Sequence, residues 1–300
     1  MDKKLSIAAF ILLIVGVIGS IATFASTNKK AASISTDISD LSFTSIHIDV
    51  DNIDAVLLPA QEQARVEVVG QNAQKRSDKL TIDLQEDTLT IHSHLNNKKW
   101  FSFGFDPSPK LKIYVPEKEY KTIQLKGKTG DLYVEEIIGK EMELIADTGD
   151  VVGENLTFDD VSVKTSTGDI HLDSIVANTS MESKNGDVVL SDIKANTVTA
   201  KTKTGNISFK KVSGEIQAET QNGDFVVRNE QINEPITAKT SSGDISINAK
   251  EYPENVQFDT ATKFGDILIF GNKKQIINNQ NPGTLIQLET SSGDIVVRKK

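Results

Sequence analysis

Residues 161–172 read Val-Ser-Val-Lys-Thr-Ser-Thr-Gly-Asp-Ile-His-Leu, and this stretch decides the fold. Apolar and polar residues alternate on both sides of the Gly168-Asp169 pair, which predicts two short β-strands joined by a tight turn. A helix is excluded because the apolar positions step by two, whereas a helical face steps by three and four.

The same pattern recurs in phase from residue 119 to the end of the chain. A Gly-Asp or Gly-Asn pair occurs nine times, at spacings of 19, 19, 18, 19, 18, 20, 22 and 28 residues. The turn glycines are Gly130, Gly149, Gly168, Gly186, Gly205, Gly223, Gly243, Gly265 and Gly293. A unit of about 19 residues cannot bury its apolar face alone, so the units must stack on one another. The sequence therefore predicts an all-β fold, a β-solenoid (β-helix) of about nine rungs of roughly 18–20 residues each over residues 119–300.

The residues that follow the turn glycines are Asp131, Asp150, Asp169, Asp187, Asn206, Asp224, Asp244, Asp266 and Asp294. We expect each glycine to permit a positive φ, and each following side chain to cap its turn by bonding to backbone amides. Stacked carboxylates about 5 Å apart also suggest calcium, which prefers oxygen ligands. One carboxylate per rung is fewer than calcium-binding nonapeptide repeats supply, so turn capping is the preferred interpretation. We predict no metal site and no cofactor, and weak calcium association stays open.

The N-terminus carries an uncharged apolar stretch of 21 residues, Leu5 to Ala25, about the length that spans a hydrocarbon core. Lys3 and Lys4 precede it, which favours a cytoplasmic N-terminus. We therefore predict a cytoplasmic tip (1–4), a transmembrane anchor (5–25) and an extracytoplasmic remainder, giving a single-pass protein of the cell membrane. The alternative is a signal peptide cleaved near Ala25, which would make the protein secreted.

Two regions separate this segment from the repeats. Residues 26–40 are small and polar, which predicts a flexible stalk. Residues 41–118 alternate with period two, as in Phe43–Val50 and Leu111–Val115, with a turn at Gln85–Thr88. We expect this N-terminal β region to cap the open end of the solenoid. Irregular opening rungs and a small separate β-domain are equally compatible with the pattern.

Composition excludes several classes of function. The chain has no cysteine, so disulfides, thiol catalysis and thiolate metal sites are excluded. The net charge is −9, and because the first 30 residues carry +3, residues 31–300 carry −12. An acidic body of this kind has no electrostatic footprint for phosphate backbones, so no nucleic acid partner is predicted.

Other residues with binding potential have simpler interpretations. His92 and His94 would share a strand face but lack a third metal ligand, so we expect surface residues there, as at His47 and His171. The aromatic stretch Trp100–Phe105 is expected to cover the solenoid end. The polar residues from Gly271 to Gly283 are expected to form a protruding loop.

Tyr114-Val115-Pro116 followed by repeated T-x-x-G-D-[IV]-x-[LIV] units resembles the bacterial putative-adhesin family of unknown function, which includes LiaG-type envelope proteins. The resemblance covers residues 40–298. It implies one N-terminal membrane segment, an association with the envelope stress response of low-GC Gram-positive bacteria, and no established catalytic residue. Asn206, Gly153 and the widened late spacings depart from the repeat, which puts the evenness of the last rungs in question.

Three functions follow from these features. The first is a non-enzymatic, membrane-anchored scaffold, adhesin-like or associated with envelope stress, with a cell-wall polymer as partner. The second is a sensor or accessory subunit that acts through a membrane protein. The third, a β-helical polysaccharide-processing enzyme, is least favoured because acid–base work on a glycan needs clustered carboxylates in a cleft. We therefore predict no enzymatic activity and no catalytic residue.

Overall fold

The computed structural model describes residues 33–70, 73–93, 109–251, 253, 255–271 and 283–299. The predicted tip and anchor, the aromatic stretch Trp100–Phe105, His94 and residues 272–282 lie outside these ranges. Within them, no helix is long and apolar enough to cross a membrane.

The described ranges contain 21 strands and one short helix. Before and around the first Gly-Asp turn these are β1 (Ser33–Asp37), β2 (Ser45–Asn52), β3 (Asp54–Pro59), β4 (Arg65–Val69), α1 (Ala73–Ser77), β5 (Leu80–Gln85), β6 (Thr88–Ser93), β7 (Lys110–Val115), β8 (Glu119–Thr129) and β9 (Leu132–Glu135). The central strands are β10 (Ile138–Thr148), β11 (Val151–Thr167), β12 (Ile170–Asn185), β13 (Val188–Thr204) and β14 (Ile207–Asn222). The last are β15 (Phe225–Asn229), β16 (Ile236–Ser242), β17 (Ile245–Ala249), β18 (Val256–Phe264), β19 (Ile267–Ile269), β20 (Thr284–Ser292) and β21 (Ile295–Lys299).

The Gly-Asp turns stack in parallel, as expected for a β-solenoid. Each central rung, however, has three sides, whereas the sequence predicted two strands per rung. In β11 the alternation of buried and exposed residues breaks twice, at Glu154-Asn155 and at Asp159-Asp160, where two consecutive residues point outward. Each break is a corner. The first is a left-handed backbone position, with Asn155 at φ 54°. The short third side buries Leu156 and its equivalents on the other rungs.

The spatial order of the rungs differs from the chain order at both ends. The rung β2/β3 lies between β6/β7 and β8/β9, because β2 pairs in parallel with β6 and β8 while β3 pairs with β7 and β9. At the other end β20/β21 lies between β16/β17 and β18/β19. The last rung in the chain is therefore the second to last in space, and among the described strands β18/β19 ends the stack.

An outward column of charges offers a physical reason for the inserted rung. Read across the stack, this column alternates in sign: Lys164, Glu182, Lys201, Glu219, Lys239 and Glu289. Lys239 lies 3.4 Å from Glu289, although 50 residues separate them. Opposite charges on adjacent strands stabilise their pairing, whereas stacking in chain order would place Ala261 beside Lys239.

The N-terminal β region contributes both rungs and a cover. β2/β3 and β6/β7 are rungs in parallel register with the repeats, so the solenoid begins well before residue 119. β5 pairs antiparallel with β6 and β4 antiparallel with β7, as a cap would. The turn predicted at Gln85–Thr88 is confirmed, with Glu86 at φ 54°.

Part of the predicted flexible stalk is ordered instead. Residues 33–37 form β1, which pairs antiparallel with β4, and Ile38 is 2% exposed. Burying Ile38 and completing the backbone hydrogen bonds of β4 offset the entropy that a polar segment loses on ordering. Residues 33–40 therefore belong to the folded body.

Candidate functional site

The Gly-Asp turns stack so closely that no side chain fits at the glycine. A Cβ at Gly168 would lie 2.1 Å from the carbonyl oxygen of Gly149 on the neighbouring rung. Eight of the nine turn glycines also adopt φ between 131° and 158°. Gly265 is the exception in φ, yet a Cβ there would lie 2.0 Å from the carbonyl oxygen of Gly293. The close approach of successive turns is a constraint that the sequence analysis missed.

The side chain after eight of the nine turn glycines bonds to the next rung, whereas the sequence suggested a cap of its own turn. Its Oδ1 accepts a hydrogen bond from the backbone N–H of the equivalent residue on the neighbouring rung, at N···O distances of 2.7–3.1 Å. In spatial order this ladder, here called the aspartate ladder, consists of Asp54, Asp131, Asp150, Asp169, Asp187, Asn206, Asp224, Asp244, Asp294 and Asp266. Asn206 fits because the position needs only an acceptor. Asp54 follows Ile53, so a search for Gly-Asp pairs does not find it.

A hydroxyl three residues before seven of the nine turn glycines completes the repeat, supplied by threonine on six rungs and by Ser183 on one. Thr202 Oγ1 donates to the carbonyl oxygen of Gly186 at 3.0 Å, and six other rungs repeat the bond. Six of these seven residues are buried, all but Thr262, and a buried polar group is costly unless it is hydrogen-bonded. Each T-x-x-G-D unit is thus joined to its neighbour by a hydroxyl, a glycine contact and a carboxylate.

The electrostatics of the aspartate ladder reflect partial burial. Desolvation raises the pKa of Asp54 and Asp150, and the backbone N–H that each side chain accepts lowers it in part. Across the described residues, no group of three or more His, Cys, Asp or Glu could hold a metal ion. The hydrogen bonds observed along the aspartate ladder join each rung to its neighbour.

A groove with a volume of about 400 Å³ crosses five adjacent strands, β8, β10, β11, β12 and β13. Its outward-facing lining residues are Thr122, Gln124, Glu141, Glu143, Asp160, Ser162, Asn178, Ser180, Thr197 and Thr199. We call it the polar groove. The sequence analysis did not identify it, because it considered the inward columns and the turns.

The groove arises from side-chain length along one outward column. In register this column runs from Glu143 through Ser162, Ser180 and Thr199 to Gln217. The three short side chains leave a depression between two long ones. The available sequence signal was that the residue six positions before the turn glycine is short on three successive rungs, those of Gly168, Gly186 and Gly205.

The polar groove offers hydroxyls, amides and carboxylates. Gln124 Nε2 donates to Glu143, and Asn178 Nδ2 donates to Asp160 Oδ1 at 3.2 Å, so both amides are oriented by an adjacent carboxylate. Glu141 and Asp160 are register partners on β10 and β11, which brings two carboxylates to one end. Behind the groove, Thr179 Oγ1 is buried without a hydrogen-bond partner, where most other rungs carry an apolar residue.

The described histidines do not converge on one site. The His47 and His92 rings lie 5.8 Å apart on the face formed by β2 and β6. Desolvation, Lys126 and His92 lower the pKa of His47. His171 lies on β12, and its pKa is lowered by desolvation despite four nearby carboxylates. All three lie on outward faces and are partly buried.

Similar solved structures include a "putative adhesin" from Bacteroides fragilis NCTC 9343, 18% identical with a TM-score of 0.49, which covers 89% of this chain and 97% of that one. A "putative lipid binding protein" from Parabacteroides distasonis ATCC 8503 is 16% identical with a TM-score of 0.42, covering 90% and 98%. No curated protein matches the chain. The model of the Toastrack DUF4097 family matches residues 43–298, which confirms the family expected from the repeats, and the chain therefore belongs to the Toastrack DUF4097 family.

Proposed function

We propose that this protein is a non-enzymatic binding scaffold, anchored in the cell membrane, whose polar groove takes an extended polymer of the cell envelope. The observation that carries the proposal is the groove itself. Five adjacent strands present hydrogen-bonding side chains in register, at the spacing of about 4.8 Å that separates neighbouring strands. A ligand with a regular repeat can meet equivalent groups on successive rungs.

The chemistry of the groove favours an uncharged or amine-bearing ligand rich in hydroxyl or amide groups. Its described lining includes Glu141, Glu143 and Asp160 but no Lys, Arg or His. Residues 31–300 carry a net charge of −12, so an anionic wall polymer would be repelled unless cations bridge the two. A neutral glycan satisfies both conditions, because it is rich in hydroxyl groups and carries no negative charge.

Rigidity supports binding by this surface. Strands fix the groove side chains, and the glycine contacts and the aspartate ladder connect successive rungs. A preorganised site loses less conformational entropy when it binds.

The test is co-sedimentation of the full chain, purified in detergent, with isolated cell walls, with and without millimolar calcium. We expect saturable binding that Ser180→Arg abolishes, since the long side chain fills the groove. Ser241→Arg adds the same charge at an exposed position outside the groove and should bind like the unmodified protein. Equal binding by all three proteins would reject the groove as the site, and absence of binding would reject a wall ligand.

The experiment also distinguishes the other two functions. The acidic body suits a basic protein partner, which favours a sensor or accessory subunit. If the protein has that function, it should not bind walls but should co-purify with one membrane protein. A polysaccharide-processing enzyme would use the carboxylates of Glu141 and Asp160, and it predicts soluble sugar released from the walls. Released sugar that Glu141→Gln eliminates would overturn the non-enzymatic proposal.

A further inference from the structure

The end of the stack exposes a strand whose sequence is complementary to itself. Within the described residues, β18 pairs on one side only, with β20. Residues 258–264 read Phe-Asp-Thr-Ala-Thr-Lys-Phe, which is a palindrome apart from Asp259 and Lys263, and these two carry opposite charges. An unpaired strand edge is a template for pairing with another chain.

Three of the six exposed large apolar side chains of the described residues lie at the same end. Phe264 is 70% exposed, the largest value among the exposed large apolar side chains of the described residues. The equivalent positions on the other rungs, immediately before the turn glycine, are Thr129, Thr148, Thr167, Asn185, Thr204, Asn222, Ser242 and Ser292. Leu268 on β19 and Leu285 on β20 are also exposed, at 37% and 38%. A polar position has thus become aromatic only at the terminal rung.

We propose that two copies of this chain associate through antiparallel pairing of β18 with β18, with Ala261 of each copy at the two-fold axis. In this register Asp259 faces Lys263 of the second copy and Thr260 faces Thr262. The exposed Phe264 lies opposite Phe258, which is buried against Phe270 in its own copy and can offer only its edge. Opposite-charge, threonine–threonine and aromatic cross-strand pairs all stabilise antiparallel strands. Each pair occurs twice because the interface is isologous.

The register is specific because only the centre at Ala261 pairs the charges. Centring the strands on Thr260 places Asp259 opposite Ala261, and centring them on Thr262 places Lys263 opposite Ala261. Head-to-tail stacking on the other end is disfavoured, since the opening rung β6/β7 is covered by the antiparallel strands β5 and β4. The interface therefore closes as a dimer.

Charge reversal tests the register. The oligomeric state of the full chain in detergent is measured by sedimentation velocity. We expect the unmodified protein to be a dimer. Asp259→Lys places two lysines opposite each other, so the affinity of the dimer should fall by about tenfold or more, or the protein should become monomeric. The double variant Asp259→Lys/Lys263→Asp restores the opposite-charge pair and should be a dimer again. A monomeric unmodified protein, a fully dimeric Asp259→Lys or a monomeric double variant would each overturn the proposal.

Cysteine cross-linking locates the two-fold axis, because the chain has no cysteine of its own. Ala261→Cys should form a disulfide-linked dimer under mild oxidation, since facing Cα atoms of antiparallel strands lie about 4.5–5.5 Å apart. Gln287→Cys, exposed on the adjacent strand β20, should stay unlinked. Cross-linking of both variants to the same extent would show random collision and contradict the assigned interface. Thermal unfolding of every variant checks that the fold is retained.

Discussion

Gly168 satisfies two constraints that no other residue type meets together. Its φ of 143° lies in a region that side chains rarely adopt, and its Cα lies against the carbonyl of Gly149. The first constraint is local, and the second exists only because another rung stacks on this turn. Glycine is therefore required at this position both by the conformation of the turn and by the stacking of the next rung.

Gly168→Val should lower the free energy of unfolding by more than the roughly 1–3 kcal/mol of backbone strain, because the neighbouring carbonyl must also move. Gly271→Val separates the two effects, since Gly271 has φ 84° but nothing within 4 Å of an added Cβ. Thermal unfolding followed by circular dichroism should show the larger loss for Gly168→Val. An equal loss in both variants would mean that the close approach contributes nothing.

Asp169 tests whether the aspartate ladder needs charge or only an acceptor. Its Oδ1 accepts from Asp187 N–H at 2.7 Å, and Asn206 supplies an amide oxygen in the same role. Asp169→Asn should therefore leave stability unchanged within about 0.5 kcal/mol, whereas Asp169→Ala should lose about 0.5–1.5 kcal/mol. Denaturant unfolding measures both. If Asn costs as much as Ala, the carboxylate charge matters, and calcium should then be tested directly.

At the scale of elements, each rung is defined by its neighbours. The strands β16 and β20 are register partners although residues 243–283 separate them in the chain. The alternating charges, the threonine bonds and the glycine contacts all have this order, with Thr290 Oγ1 donating to Gly243 O and Thr262 Oγ1 to Gly293 O. Placing β20/β21 between β16/β17 and β18/β19 therefore keeps the charge pairs, the threonine hydrogen bonds and the glycine contacts between neighbouring rungs.

Paired cysteines test the inserted order. Thr237 and Gln287 are register partners, so Thr237→Cys/Gln287→Cys should form an intramolecular disulfide on oxidation. Thr237→Cys/Asp259→Cys should not, because β20 lies between those strands, and Cα atoms more than about 7 Å apart cannot be bridged. Mass spectrometry of the unfolded protein detects the bond. The reverse result would require stacking in chain order.

At the scale of the whole molecule, stability depends on pH through partly buried histidines. Desolvation lowers the pKa of His171 below its ordinary value, against the attraction of Asp169, Asp173, Glu154 and Asp150. The unfolded chain therefore binds this proton at higher pH, and stability falls as pH drops below about 6.5. Asp54 and Asp150 have raised pKa values and act in the opposite direction, but nearer to their ordinary pKa of about 4.

His171→Val should reduce this loss of stability between about pH 7.5 and 5.5. The neighbours of His171 in register are Val152 and Val189, so valine continues the column. Denaturant midpoints at several pH values measure the effect, and His47, whose pKa is also lowered, should account for part of the remaining dependence. An unchanged pH profile would show that His171 protonates equally in both states.

The sequence by itself determined the β-solenoid, the turn glycines and the acidic column, because period-two alternation and a repeated turn are local signals that every rung carries. Only the tertiary structure decided the third side of each rung, the insertion of β2/β3 and β20/β21 between other rungs, and the polar groove. Rungs that share one pattern can stack in more than one order, so their order depends on contacts such as Lys239 with Glu289 across 50 residues. The groove likewise exists only after Ser162, Ser180 and Thr199 come together from three rungs, which no single repeat can show.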